Sequence, residues 1–399
     1  MRRSFLAFLV GASLALAPAA QARALSDERG TVAQWRARTS VAQDWLDGRF
    51  AAPWAARVTY DGPPITMRFS AHNPANASVV RDVFIPAFEV LRRMSRGKLL
   101  VAPSWEGNAH SLADGWAALA NGRTDMTACY ASLEADKRGF RLLTLLDLPG
   151  LFPNAAVATA VSERLYARWF NADFARNGVM IARMKATGPA QLYLRARPDP
   201  EADIVGLSIA SADGVQADFL RAVGARPALM PSPQVREAIA GGRLQGVAIT
   251  DAAAQVYGIT GEAKFALEGD LGRTNLEYCM SPAFYRQLPP DLRTILNAWL
   301  RAEAQAETQV FYGREGASAR DAYAATGGMR LRLSSARSRQ WKRMGDLAER
   351  DAVARLEGEK LPARAFMREV RRLTAVYAKR SDNELMRDAA EHPISELLP

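Results

Sequence analysis

Between residues 65 and 132 two hydrophobic periods alternate along the chain. "ITMRFSAH" (65–72) sets Ile65, Met67 and Phe69 two residues apart, the spacing of a half-buried strand. "NPANASVVRDVFIPAFEVLRRMSRGK" then moves to helical spacing, with a cap among Asn73–Ser78 and a stop near Gly97. "LLVAPSW" predicts a second strand, "SLADGWAALANGR" a second helix ending at Asn121-Gly122, and "TDMTACYAS" a third strand. This order implies a parallel, doubly wound sheet. After "LLTLLDLPGLF" the pattern recurs. "VMIARMKA", "AQLYLRAR", "VGLSIAS", "LQGVAIT" and "LEYCMSP" are strand-like, while "DGVQADFLRAV" and "SPQVREAIAGGR" are helix-like. A long helical run from Ser281 ("SPAFYRQLPPDLRTILNAWLRAEAQAETQVFYGREG") crosses back towards the first half. Pro289-Pro290 belongs at its opening, where proline is tolerated.

The expected class is α/β, with two lobes, a cleft between them and a long helix crossing both. The boundaries predicted are a leader over 1–22, an N-terminal extension over 23–60, and the first lobe over 61–187. The second lobe takes 188–277, a crossing strand and long helix shared by both take 278–345, and a helical tail takes 346–399. The strand exit "VGLSIASADG" (205–214) is where an α/β protein tends to bind ligands. It offers Ser208, Ala210, Ser211 and Ala212, with no side chain for an anion or a metal.

"MRRSFLAFLVGASLALAPAAQARA" starts basic, runs apolar from Phe5 to about Ala17 and closes on Ala20-Gln21-Ala22. That is the pattern of a secretory leader cleaved after Ala22. The apolar run is too short for a bilayer, which needs about 20 residues. The expectation is a soluble, exported chain beginning near Arg23. Two lobes without an anchor suggest a cleft that closes around a solute by hinge motion.

Composition narrows the classes. Hydrophobic residues make up 49% of the chain, enough for sizeable cores. The net charge of +10 is spread over helical stretches such as "RQWKRMGDLAERDAVARLEGEK", where acids interleave. Solvated helix faces explain it better than a nucleic-acid site. Cys129 and Cys279, in apolar strand-like contexts, read as two separate buried thiols, although an oxidising compartment permits a bridge. With three histidines (His72, His110 and His392) no metal-binding spacing is present. No phosphate loop or nucleophile motif occurs either. The reading is therefore of a protein that is not an enzyme and uses no cofactor and no metal.

Five stretches in order carry a resemblance: "ITMRFSAHNP", "GWAALANGRTDM", "LDLPGLF", "ARPALMPSPQVREAIAGGRLQGV" and "SPAFYRQLPPDLRTIL". Over about residues 65–345 the chain resembles the DctP-like solute-binding subunits of tripartite ATP-independent periplasmic (TRAP) transporters. The resemblance implies capture of a small organic solute, delivery to TRAP membrane permease subunits, and a monomer. It also implies a carboxylate clamp, and here this sequence departs. The position of the family's bidentate arginine is Ala210, that of a second arginine falls at Pro189-Ala190, and that of an asparagine at Ile249. A charge-assisted hydrogen bond contributes about 1.5–3 kcal/mol, so a pocket lacking all three should not hold an acid in the usual pose. Either the ligand is neutral or more apolar, or another cation replaces the arginine.

Arg236 is the first candidate for that cation, with a surface arginine as the competing reading; Arg195 and Arg197 follow. Among the other positions implied, His72 ends the first strand and could contact ligand or cap the next helix. Trp105 and Glu106 follow the second strand, Trp105 as a stacking platform or a loop anchor. Tyr130 ends the third strand. Ser232 stands where the family often has phenylalanine and leaves more room. Thr250, with Asp251, could replace the asparagine, and Tyr278 could line the cleft or only pack. Trp116 is assigned to the core. A rival reading is a binding protein repurposed for sensing or as a regulatory or assembly partner. An enzyme built on His72, Glu106, Cys129 and Tyr130 lacks any visible activation of a nucleophile.

Overall fold

The structure, a computed structural model, describes residues 30–50, 54, 57–131, 140–198, 204–212 and 214–392. The expected leader and the first part of the extension lie outside these residues. The strands are β1 (Ile65–Ser70), β2 (Leu99–Ser104), β3 (Met126–Ala128), β4 (Met180–Ala186), β5 (Gln191–Leu194), β6 (Ser208–Ser211), β7 (Arg226–Leu229), β8 (Gly246–Ile249), β9 (Phe265–Glu268), β10 (Asn275–Met280) and β11 (Met329–Arg332). They form two sheets, β2-β1-β3-β10-β4 and β11-β9-β5-β8-β6-β7.

The alternation read in β1 is the observed one: Met67 and Phe69 are buried while Thr66 and Arg68 are exposed. Asp125 pins its neighbour, accepting from the Arg68 backbone N–H at 2.8 Å and pairing with the guanidinium at 2.6 Å. Asp125 stands at the turn after Gly122, whose φ of +66° suits glycine.

Neither sheet is wholly parallel, which corrects the doubly wound expectation. β10 runs antiparallel to β3 and β4, and β5 antiparallel to β8 and β9. The cause is the double crossing between lobes. The chain leaves the first sheet on β4 and returns on β10, so outgoing and incoming strands lie side by side in opposite senses. β5 and β9 repeat this in the second sheet. The two crossings are tied together, Thr187 N–H to the Thr274 carbonyl and Ala190 N–H to that of Gly272, both at 3.0 Å.

The same antiparallel pairing joins the cysteines. Cys129 and Cys279, read as separate thiols, form a disulfide with a Cα–Cα distance of 5.7 Å. Separation in sequence hid it, because only the return of β10 beside β3 brings them together.

The crossing helix begins at Pro290, with Pro289 as its cap. It runs to Glu307, widens through a π-helical turn over Thr308–Glu315 and ends as Gly316–Ala325. The predicted tail boundary at 345/346 falls inside one helix, Ser335–Gly358. That helix serves both lobes: Trp341 joins the second lobe's core, Ala352 and Leu356 the first's. Helices Ala363–Tyr377 and Asp382–Glu391 fold back on the first lobe, where Val370, Leu385 and Met386 are buried. The extension's helices, Val32–Arg38 and Ser40–Leu46, meet them there. Arg38 pairs with Asp382 at 3.0 Å, and Trp54 Nε1 donates to the Ala390 carbonyl at 3.0 Å. Buried Arg301 on the crossing helix bonds Asp388 at 2.7 Å and Glu163 at 3.3 Å. The two terminal segments thus form one layer over the first lobe.

Candidate functional site

Strand ends of both sheets converge on a cavity of ≈ 150 Å³. His72 after β1, Tyr130 after β3, and Leu276 and Tyr278 on β10 come from the first sheet. Ser211 on β6, Leu229 and Met230 at β7, and Val247–Ile249 on β8 come from the second. Ser232 and Val235 add the start of helix Ser232–Ala240, while Tyr257, Phe311 and Tyr312 complete the wall. Aromatic and apolar side chains thus predominate in the lining, with uncharged polar ones such as Asn73, Thr187, Gln216 and Thr274 among them. The His72 ring meets Tyr130 edge-on at 5.7 Å and stacks over Tyr257 at 6.4 Å.

The charged part of the wall is an ion pair that sequence reading overlooked. Lys185 on β4 and Glu307 on the crossing helix both face the cavity and pair with each other. Behind them Arg183 holds Glu303 at 2.6 Å and Glu307 at 2.9 Å, and its guanidinium lies 4.1 Å from the Tyr278 ring centre. All four side chains are buried. Burial pushes the Lys185 ammonium well below its ordinary range, Arg183 adding to the effect, and pushes the Glu303 carboxyl up. The geometry follows from two simple periods. Arg183 and Lys185 are two apart on a strand and share a face, while Glu303 and Glu307 are four apart on a helix and share another. Those spacings were legible; the assumption that charges are solvated concealed them.

Two cavity-lining residues carry a buried polar atom without a protein partner: Ser211 Oγ and His72 Nδ1. Burial, helped by Lys185 and His110, holds His72 down to about 4, so the ring is neutral near pH 7. Tyr278 is pushed up to about 12 by burial.

Of the ten positions singled out from sequence, His72, Tyr130, Ser232, Ile249, Thr250 and Tyr278 are brought together here. Thr250 also caps helix Asp251–Val256, its hydroxyl accepting from Ala253 N–H at 3.3 Å. Four lie elsewhere. Arg236 points to solvent from the outer face of its helix, 59% exposed and paired with Glu262 at 3.6 Å. Trp105 packs among Phe69, Phe84 and Phe88, the loop-anchor alternative. Glu106 is an exposed loop residue whose carboxylate accepts from Ala75 N–H at 3.2 Å. Ala210 is buried in the second lobe's core, and its neighbour Ser211 takes the cavity face instead. Arg195 is exposed beyond the far end of β5. Trp116 packs on Phe140 and Phe174, as assigned.

A profile of the DctP family, described as "Bacterial extracellular solute-binding protein, family 7", matches residues 71–352. The chain belongs to the DctP family. The members of this family are described as extracellular solute-binding proteins. A TRAP solute-binding protein from Rhodoferax ferrireducens, solved with copurified benzoate, superposes with a TM-score of 0.72 at 19% identity. The match covers 79% of this chain and 99% of that one. One from Bordetella bronchiseptica with bound mandelate gives a TM-score of 0.71 at 19% identity, covering 78% and 99%. One from a Bradyrhizobium species, in complex with galacturonate, gives 0.66 at 17% identity, covering 77% and 99%. At these identities the likeness concerns the two-lobed fold. No protein of curated function matches the sequence significantly. Among the described residues no helix is long and apolar enough to cross a membrane. Nor do the described residues include a cluster of three or more candidate metal ligands.

Proposed function

We propose that this DctP protein captures a one-ring organic solute in the periplasm and delivers it to a TRAP permease, acting as a monomer once its leader is cleaved after Ala22. The observation that carries this reading is the cavity. Its ≈ 150 Å³ is about the size of the apolar protein cavity known to take up one benzene, and rings form much of its wall. His72, Tyr130 and Tyr278 come from one lobe and Val247, Ile249 and Tyr257 from the other, so a solute here touches both. Closure about the crossings at Thr187–Ala190 and Gly272–Thr274 would follow, driven only by the solute's greater affinity for the closed state. The solved relatives that hold benzoate and mandelate carry ligands of this size.

The absence of the family's arginines is part of the proposal. Ala190 and Ile249 stand on the cavity wall where the resemblance sets polar clamps. The test is a thermal-shift screen of the mature protein with benzoate, benzamide, mandelate, galacturonate and an aliphatic diacid. A ring compound supplied at about 100 times its Kd should add about 2.7 kcal/mol of stability. Stabilisation by the sugar acid or diacid alone would overturn the reading. The layer built from 30–50 and 363–392 favours a second reading, a receptor serving a sensing or assembly partner. No shift with any solute would move it to first place.

A further inference from the structure

We infer that the solute is uncharged where it meets Lys185: a one-ring compound bearing a hydroxyl or an amide, not a carboxylate. This rests on the one-ring reading above and sharpens it.

Among the described residues lining the cavity, Lys185 and Glu307 are the only Lys, Arg, Asp or Glu. A carboxylate ligand would need Lys185, but Glu307 already occupies it. Glu307 is held in place in turn by Arg183 at 2.9 Å, which also binds Glu303 at 2.6 Å. Two cations and two carboxylates sum to zero. Moving a proton from Lys185 to Glu303 leaves the sum at zero. Each of the four side chains is at most 3% exposed. A monoanion would therefore bring an uncompensated charge to a dry wall, the arrangement that buried ion pairs penalise most. Among the described residues no other Lys or Arg lines the cavity, and Arg236 is turned to solvent.

A hydroxyl or primary amide brings no charge and both donates and accepts. That suits two cavity-lining residues whose buried polar atoms lack a protein partner. Ser211 Oγ donates and accepts, and the neutral His72 ring offers Nδ1; both atoms are buried without a protein partner. A polar group that hydrogen-bonds these atoms removes the cost of leaving them unsatisfied. The ring then lies against Tyr257 and Tyr278.

Calorimetric titration of the mature protein with benzamide and benzoate, which share size and shape, tests this. Near neutral pH benzamide should bind at least about ten-fold more tightly, a difference of about 1.4 kcal/mol. Ser211→Ala should weaken benzamide about ten-fold. Glu307→Gln frees Lys185 and leaves the cluster net positive, so the preference should reverse in favour of benzoate. If Glu307→Gln fails to fold, the wild-type ratio and Ser211→Ala decide. Equal or tighter binding of benzoate by the wild type would overturn the inference while keeping the one-ring receptor. Binding of neither ring compound would defeat the one-ring reading and the inference with it.

Discussion

Lys185 and Glu307 form an ion pair in the cavity wall, one from the strand that leaves the first lobe and one from the helix that crosses both. Both side chains are almost wholly screened from water. Removing Lys185 leaves Glu303 and Glu307 to share Arg183 alone, so the buried cluster carries one uncompensated negative charge. Lys185→Met should cost about 3–5 kcal/mol, whereas Lys185→Met with Glu307→Leu should recover most of it. Denaturant unfolding of the three proteins checks this. Equal losses in the single and double variants would contradict it.

Arg236 shows the opposite behaviour. It is a surface arginine whose partner Glu262 lies 3.6 Å away, and exposed pairs contribute about 0–1 kcal/mol. Arg236→Ala should leave the solute-induced thermal shift unchanged and the apo melting temperature within a degree or two. Loss of the shift in this variant would place the ligand's partner on the wrong helix face in the present account.

The Cys129–Cys279 disulfide ties together the two strands whose next residues, Tyr130 and Tyr278, line the cavity. It closes a loop of 150 residues, and removing a bridge of that kind typically costs about 2–5 kcal/mol. Cys129→Ser with Cys279→Ser should therefore melt lower, and a reductant should lower the wild type towards it. A thiol assay on unfolded protein should find no reactive thiol before reduction and both afterwards. Two thiols without reduction would refute the bridge.

What the sequence showed and hid follows physical lines. Strong two-residue alternation made β1 legible, and Pro289-Pro290 marked the crossing helix. β7, β9 and β11 escaped because none has more than two buried residues, whereas β5, β6 and β8, equally short, have three or four. β7 and β11 are also sheet edges, and Pro227 within β7 is tolerated there because an edge strand can lack a donor. Strand direction leaves no local mark, so the antiparallel β10 and the disulfide that depends on it were invisible. The site was half legible: the family resemblance singled out His72, just beyond β1, and Tyr278 on β10. Lys185 and Glu307 were missed because a charge in sequence is read as a surface residue.

His72 supplies a pH prediction. Its folded value is depressed from 6.5 to about 4 by burial, Lys185 and His110. Below pH 6.5 the unfolded chain takes up a proton that the folded chain refuses, so stability falls as pH drops from 6.5 towards 4. Asp147 and Glu277, raised by burial to about 7 and about 8, act in the opposite direction. Comparison with His72→Gln cancels them. The wild type should lose up to about 3 kcal/mol relative to that variant across the window, with no change in the difference above it. Parallel stability curves from pH 4 to 7, measured by urea unfolding, would refute the buried neutral ring.

The most direct test of the account is a crystal structure of the mature protein with benzamide. The ring should lie between Tyr257 and Tyr278 and the amide against Ser211 and His72, with the Lys185–Glu307 pair intact. A ring bound outside the cleft, or an amide directed at Arg236, would contradict it.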